Sequence, residues 1–212
     1  MDFSPLLDDA WQRLHDRHLL GADGSLSMRL PGEAVMLLRA AHVAGGSSLP
    51  VALDKAQGEA AMHAAIYLAR ADVGAIGVGG GAFGRTLAAF GGGLPQVFDE
   101  QARHLGHTAE PLLAIGPDLP MDARRCLATG GNLWVCGQRL AILGTTEHRL
   151  VLNAELAEKC AKAYVLAAGT GERVHTLPWW VRRIANGRLR KDQARAAARF
   201  ASGQAPEESN GY

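Results

Sequence analysis

The residues best suited to chemistry in this chain are a carboxylate and an imidazole four positions apart. Glu59 and His63 fall on one face of a helix-forming run, EAAMHAAIYLAR over 59–70, close enough to share a proton as an acid/base pair. The same pair also reads as a charge that suits a helix N-terminus and a histidine satisfied in the core. A second pair, His104 and His107, sits in HLGH, a spacing that places two imidazoles on one helical turn and can serve a metal or a hydrogen-bond network. A glycine cluster, Gly77 to Gly81 followed by Ala82, fits G-x-G-x-x-A between an apolar run and a helix, with Asp99 twenty residues beyond Gly79. Backbone N–H groups at Gly79, Gly80 and Gly81 would suit an anion, and a tight turn at a close packing point is the competing reading. For a dinucleotide fold the context is wrong: the motif follows a helix and a hairpin, and no second strand precedes Asp99.

Around these residues the hydrophobic pattern sets out the elements. Leu7, Trp11, Leu14 and His18 mark an amphipathic helix over 4–19, with Ser4 as N-cap and Pro5 at its first position. Runs at 25–30 and 34–39 flank Pro31-Gly32 and predict a β-hairpin. Helix 59–70, a buried strand at 73–78 and a helix at 82–90 follow, then a long segment with few periodic signals. Strands are expected at 133–136 and 140–143, the longest helix at 147–168, and a last helical stretch carrying Trp179, Trp180 and Ile184. The alternation predicts an α/β domain, a central mixed and largely antiparallel sheet covered by helices on both faces, over 1–201, with a polar tail at 202–212.

Composition narrows the partners. Lys and Arg number 22 against 21 Asp and Glu, so the whole chain has no charge excess suited to nucleic acid or a membrane surface. The Arg and Lys residues between 182 and 199 read as a solvated helix face. No apolar run approaches the length of a membrane span, the first residues lack a basic leader, and a cytoplasmic protein is expected. Cys126, Cys136 and Cys160 form no metal or disulfide spacing; Cys136 and Cys160 read as small core hydrophobes.

In order along the chain, several blocks resemble the class II aldolase/adducin family. ADGSLSMRLPGEAVMLL is similar to its G-N-x-S-x-R hairpin, here Gly24, Ser25, Ser27 and Arg29. GEAAMHAAIYLARADVGAIGV is similar to its E-x-x-x-H helix and following strand, and FDEQARHLG, NLWVCGQRLAILG and the long helix with Glu158 continue the match over about residues 5–200. The resemblance implies a three-layer α/β/α fold, a homo-oligomer, commonly a C4 tetramer, and a small carbonyl or phosphorylated ligand. It implies Glu59 as the acid/base carboxylate with His63 beside it on the helix, and Ser25 and Arg29 as ligand-binding positions.

The departures matter as much. Active members hold a divalent metal through an H-x-H and a third histidine, positions that fall here on Val78, Gly80 and Gln138. Val and Gly offer no side-chain donor and Gln is a poor zinc ligand. The family's phosphate-binding serines are replaced by Ala56-Gln57-Gly58 and Arg39-Ala40-Ala41. The expectation is therefore a fold that has lost its zinc histidines, with no cofactor, serving as a scaffold or regulatory homologue. Two alternatives stay open: a lyase, epimerase or decarboxylase on a small hydroxy-carbonyl compound, acting through Glu59 and His63 with a metal from relocated ligands such as His104 and His107 or with none, and an anion binder at the glycine loop.

Overall fold

A computed structural model describes residues 2–41, 47–106 and 121–207. Seven helices and six strands are found among them, in the order α1 (Ser4–Asp16), β1 (Ser25–Arg29), β2 (Val35–Ala40), β3 (Leu49–Ala52), α2 (Glu59–Ala69), β4 (Ala75–Gly79), α3 (Ala82–Ala89), α4 (Asp99–His104), α5 (Met121–Ala128), β5 (Leu133–Cys136), β6 (Arg139–Gly144), α6 (Glu147–Ala168) and α7 (Trp179–Ala201).

The strands form one sheet in the order β3-β2-β1-β4-β6-β5, and every pairing is antiparallel. The mixed component that the sequence allowed is absent from it. Because side chains alternate across a strand, this register assigns each residue to a layer. Leu26 and Met28 of β1, Leu140 and Ile142 of β6, and Leu133 and Val135 of β5 enter the core shared with α1, α3 and α6. Ile76 and Val78 of β4, Trp134 of β5, and Ala141 and Leu143 of β6 enter the opposite core, beneath α2 and α5. The result is a three-layer α/β/α arrangement.

Antiparallel neighbours on both sides of β4 exclude the dinucleotide reading of the glycine run, which requires a parallel β-α-β unit. Asp99, its would-be ribose acid, opens α4 instead of ending a strand. At the N-terminus the expected cap shifts by one residue. Ser4 is the first helical residue after Phe3, and the Asp2 carboxylate accepts the Ser4 N–H at 3.0 Å. That helix stops at Asp16, because His18 adopts φ 55° and turns Leu19 and Leu20 into the core.

Three elements carry little sequence signal. β3 contains Pro50 and occupies the sheet edge, the place where a missing N–H is tolerated. α4 and α5 have six and eight residues and lie in the segment without periodicity. Among the described residues no helix is long and apolar enough to cross a membrane.

Candidate functional site

Strand β1 and helix α2 build the candidate site together. Ser25 and Ser27 point to the same sheet face by alternation, and Glu59, His63 and Tyr67 follow at successive four-residue steps along α2. Each serine falls between two helix side chains. Ser25 Oγ lies 2.7 Å from Glu59 Oε1 and 2.8 Å from His63 Nε2. Ser27 Oγ lies 2.7 Å from His63 Nδ1 and 2.9 Å from the Tyr67 hydroxyl.

The carboxylate fixes the direction of this chain. Ionised Glu59 only accepts, so Ser25 donates to it and must itself accept from His63 Nε2–H. Nδ1 of the neutral ring then accepts from Ser27, and Ser27 accepts from Tyr67. The alternative acceptor for the tyrosine, the Gly74 carbonyl, is distant at 3.4 Å. All four hydrogen bonds point towards Glu59.

Burial enforces the neutrality of the ring. His63 is fully buried, and the loss of hydration lowers its pKa to about 4 against the opposing attraction of Glu59. Burial likewise raises the Tyr67 hydroxyl well above its ordinary value.

Arg139 closes the other side of the carboxylate. As the first residue of β6 it shares the α2 face with Ala141 and Leu143, and its guanidinium takes both oxygens of Glu59, at 2.9 Å to Oε1 and 3.1 Å to Oε2. It also donates to the Asp23 carbonyl at 3.1 Å. Burial of Glu59 would raise its pKa; hydrogen bonds from Arg139 and Ser25, with the Arg139 charge, outweigh it and hold the carboxyl below its usual range. The pair is one quarter and one fifth exposed at its side chains, beside exposed Gln57 and Gly58. An ionised carboxylate with both oxygens engaged is a poor proton acceptor.

The positions that the resemblance assigns to metal ligands do not fit a metal. Val78 is a buried core residue, Gly80 has no side chain, and Gln138 is exposed in the β5–β6 turn. The remaining carboxylate is spanned by Arg139. Among the described residues no three His, Cys, Asp or Glu side chains converge as a metal-binding group.

Other expected site residues lie elsewhere. Arg29, at the far end of β1, stacks over Phe200 at 5.4 Å and reaches the Ala71 carbonyl, so it does not join Glu59. His104 accepts from Arg149 at 3.4 Å, and its carbonyl accepts from Asn132. It lines a cavity with Arg103, Asp192 and Arg199 and, among the described residues, shares no hydrogen-bond partner with Glu59 or His63. Burial, reinforced by Arg149 and Arg103, lowers its pKa to about 4. His107 lies outside the described residues.

The glycine loop is occupied from within. Glu158 of α6 accepts from the backbone N–H of Phe83 at 2.8 Å and of Gly84 at 2.9 Å, so an internal carboxylate caps α3 where an anion was expected. A Cβ on Gly81 would lie 2.5 Å from that carboxylate, and one on Gly79 only 2.0 Å from the Leu20 carbonyl. Gly79 and Gly81 permit close packing, and Gly80 donates to the Leu19 carbonyl at 3.1 Å. Among the thiols, Cys136 and Cys160 are both pushed up to about 12 by burial, as inert core residues should be.

Arg139 and Tyr67 were not singled out from sequence, and Ser27 and Glu158 entered only as parts of the resemblance, with no site role assigned to them. The signal for three of them was present: alternation pairs Ser27 with Ser25, a second four-residue step along α2 reaches Tyr67, and alternation along β6 puts Arg139 on the α2 face.

No protein-family model and no curated protein matches the chain. Solved structures do match in fold. An L-fuculose 1-phosphate aldolase superimposes with a TM-score of 0.71 at 17% identity, covering 88% of this chain and 94% of that one. L-Fuculose 1-phosphate aldolase from Glaciozyma antarctica PI12 gives 0.68 at 14% identity, covering 97% and 92%. An aldolase II superfamily protein from Pseudomonas syringae gives 0.64 at 17%, covering 92% and 89%.

Proposed function

On the premise of a class II aldolase-like fold, we propose that this chain is a non-catalytic homologue, a scaffold or regulator that does not perform metal-dependent aldol chemistry. One observation carries the reading: Arg139 spans both oxygens of Glu59. A carbonyl-polarising metal would find no donor at Val78 or Gly80, and an acid/base carboxylate would first have to leave its guanidinium. The chain is expected to form a homo-oligomer, an expectation that rests on resemblance and is checked by light scattering.

A metal-free lyase or epimerase is the second reading. It is favoured by the hydrogen-bond chain that ends on the part-exposed Glu59 carboxylate, and it requires Arg139 to release that carboxylate when a small hydroxy-carbonyl ligand binds.

Elemental analysis of untagged protein purified without chelator, joined to turnover of L-fuculose 1-phosphate and related phosphorylated sugars, tests the proposal. No stoichiometric metal and no turnover above blank are expected. Turnover that EDTA abolishes and zinc restores overturns it, and turnover indifferent to EDTA selects the second reading.

A further inference from the structure

Helix α7 carries two kinds of basic residue. In its C-terminal half Arg195 and Arg199 are compensated: Arg195 shares Asp192 with Arg103 of α4, and Arg199 pairs with Glu207 at 3.0 Å. In its N-terminal half Arg182, Arg183 and Arg190 have no ion-pair or hydrogen-bonded side-chain partner among the described residues. No acidic residue interrupts the helix from Trp179 to Lys191.

These cations share one surface. Trp179, Arg182, Arg183, Asn186, Gly187 and Arg190 line a cavity of about 480 Å³ together with Gln96, and no carboxylate is among them. The α7 positions, 179, 182/183, 186/187 and 190, recur at each helical turn and define one stripe of the helix, about 17 Å long at 1.5 Å per residue. Three like charges on one stripe without a counter-charge raise the local positive potential, which favours an anion.

Two further features fit a ligand. Gly187 stands in mid-helix, where glycine costs about 1 kcal/mol relative to alanine. A Cβ there would meet nothing within 4 Å; packing therefore does not demand the glycine, which is one of the residues that line the cavity. Arg182 Nε and Asn186 Oδ1 are buried without a hydrogen-bond partner, a donor and an acceptor left unused at the same place. Trp179, 69% exposed, presents a ring at the N-terminal end of the stripe.

We propose that this face of α7 binds a small phosphorylated molecule bearing a flat ring, of the nucleoside-diphosphate class, with the guanidinia on its phosphates and Trp179 against its ring. Guanidinia match phosphate oxygens in fork geometry, and an indole face stacks on flat rings. The volume lies in the range of small-ligand sites. Nucleic acid is the poorer fit, because the uncompensated stripe ends at Asp192 and the rest of the chain balances its charge. The site is separate from Glu59 and stands whatever that carboxylate does.

Calorimetry of the full chain with ADP, pyrophosphate and a short oligouridine at low salt tests this. One ADP should bind per chain, more tightly than pyrophosphate, with affinity falling as salt rises. Arg182→Gln/Arg183→Gln should weaken ADP at least tenfold, and Trp179→Ala should abolish the preference for ADP over pyrophosphate. Gly187→Leu should also weaken ADP while the melting temperature holds or rises, since leucine is the better helix former; that variant separates a blocked site from a damaged fold. No saturable binding at millimolar ADP, binding indifferent to the arginine pair, or tighter binding of oligouridine than of ADP would each overturn the proposal.

Discussion

Arg139 holds Glu59 by both carboxylate oxygens, at 2.9 and 3.1 Å, in a pair that is neither fully buried nor free in water. Such a pair is worth less as net stability than its geometry suggests, because each ion gives up hydration to form it. Removing one partner is a different matter. Arg139→Met leaves a half-buried carboxylate bound only by Ser25, and should cost about 2 kcal/mol, below the 3–5 kcal/mol of a fully buried pair. Glu59→Gln/Arg139→Met should recover part of that loss. Urea unfolding of the four proteins in the cycle measures the coupling, and strict additivity would show that the two side chains do not interact in solution.

The acid side of the stability profile follows from the imidazoles. His63 and His104 both titrate at about 4 in the folded chain, below the ordinary 6.5. Between those values the unfolded chain binds protons that the folded chain does not, so stability is complete above pH 6.5 and falls as the pH drops towards 4. Glu59, with its pKa lowered, adds to the loss only further down, below the ordinary carboxylate value of 4.5. His63→Gln should therefore reduce proton uptake on unfolding by about one between pH 6.5 and 4. Denaturant melts across this window give the slope directly; an unchanged slope would mean that His63 ionises as freely folded as unfolded.

The same histidine has one tautomer if the hydrogen-bond chain has the direction that ionised Glu59 imposes. Nitrogen-15 shifts of His63 should show protonated Nε2 and bare Nδ1 at pH 7, and Glu59→Gln should weaken that preference because a neutral amide no longer fixes the donor. Protonated Nδ1 in the native protein would reverse the chain and detach it from the carboxylate.

Much of this was legible in the sequence where local pattern and tertiary placement agree. The helix from Glu147 to Ala168 starts and stops where its sequence says, capped by Thr146 accepting from Arg149 N–H at 3.0 Å. The hairpin turns at Pro31-Gly32, with Gly32 at φ 77°. The closeness of Glu59 and His63 followed from helical spacing. What was hidden depends on long-range partners. No local rule says that Glu158 travels 75 positions back to cap α3, so the glycines looked free to take an anion. Arg139 was not legible as the cation on Glu59, because that contact spans 80 positions. Edge strand β3, broken by Pro50, had too little alternation to declare itself.

Glu158 offers a direct test of that internal cap. Glu158→Ala uncovers the N–H groups of Phe83 and Gly84 at the start of α3 and should cost about 1 kcal/mol, as the loss of other N-terminal caps does. It should also open the anion site that the carboxylate fills, so sulfate should raise the melting temperature of the variant more than that of the parent. Equal responses to sulfate, with chloride at matched ionic strength as control, would show that the uncovered groups are not accessible.

The most severe substitution should fall outside the site. Arg70, its side chain 6% exposed, pairs in fork geometry with Asp72 at 2.8 and 2.7 Å and donates to the carbonyls of Leu127 and Gly131 and to Asn132 Oδ1. It thereby ties the turn after α2 to the turn between α5 and β5. Lysine retains the charge but has a single ammonium where five N–H groups are used in a fixed plane, so Arg70→Lys is not conservative here. Both Arg70→Lys and Arg70→Met should cost about 3 kcal/mol or more, since each leaves buried acceptors and a buried carboxylate underserved. Amide exchange should accelerate first in α5, whose C-terminal turn the guanidinium holds. If Arg70→Lys unfolds at the same urea concentration as the parent, the fork is not what secures that end of the domain.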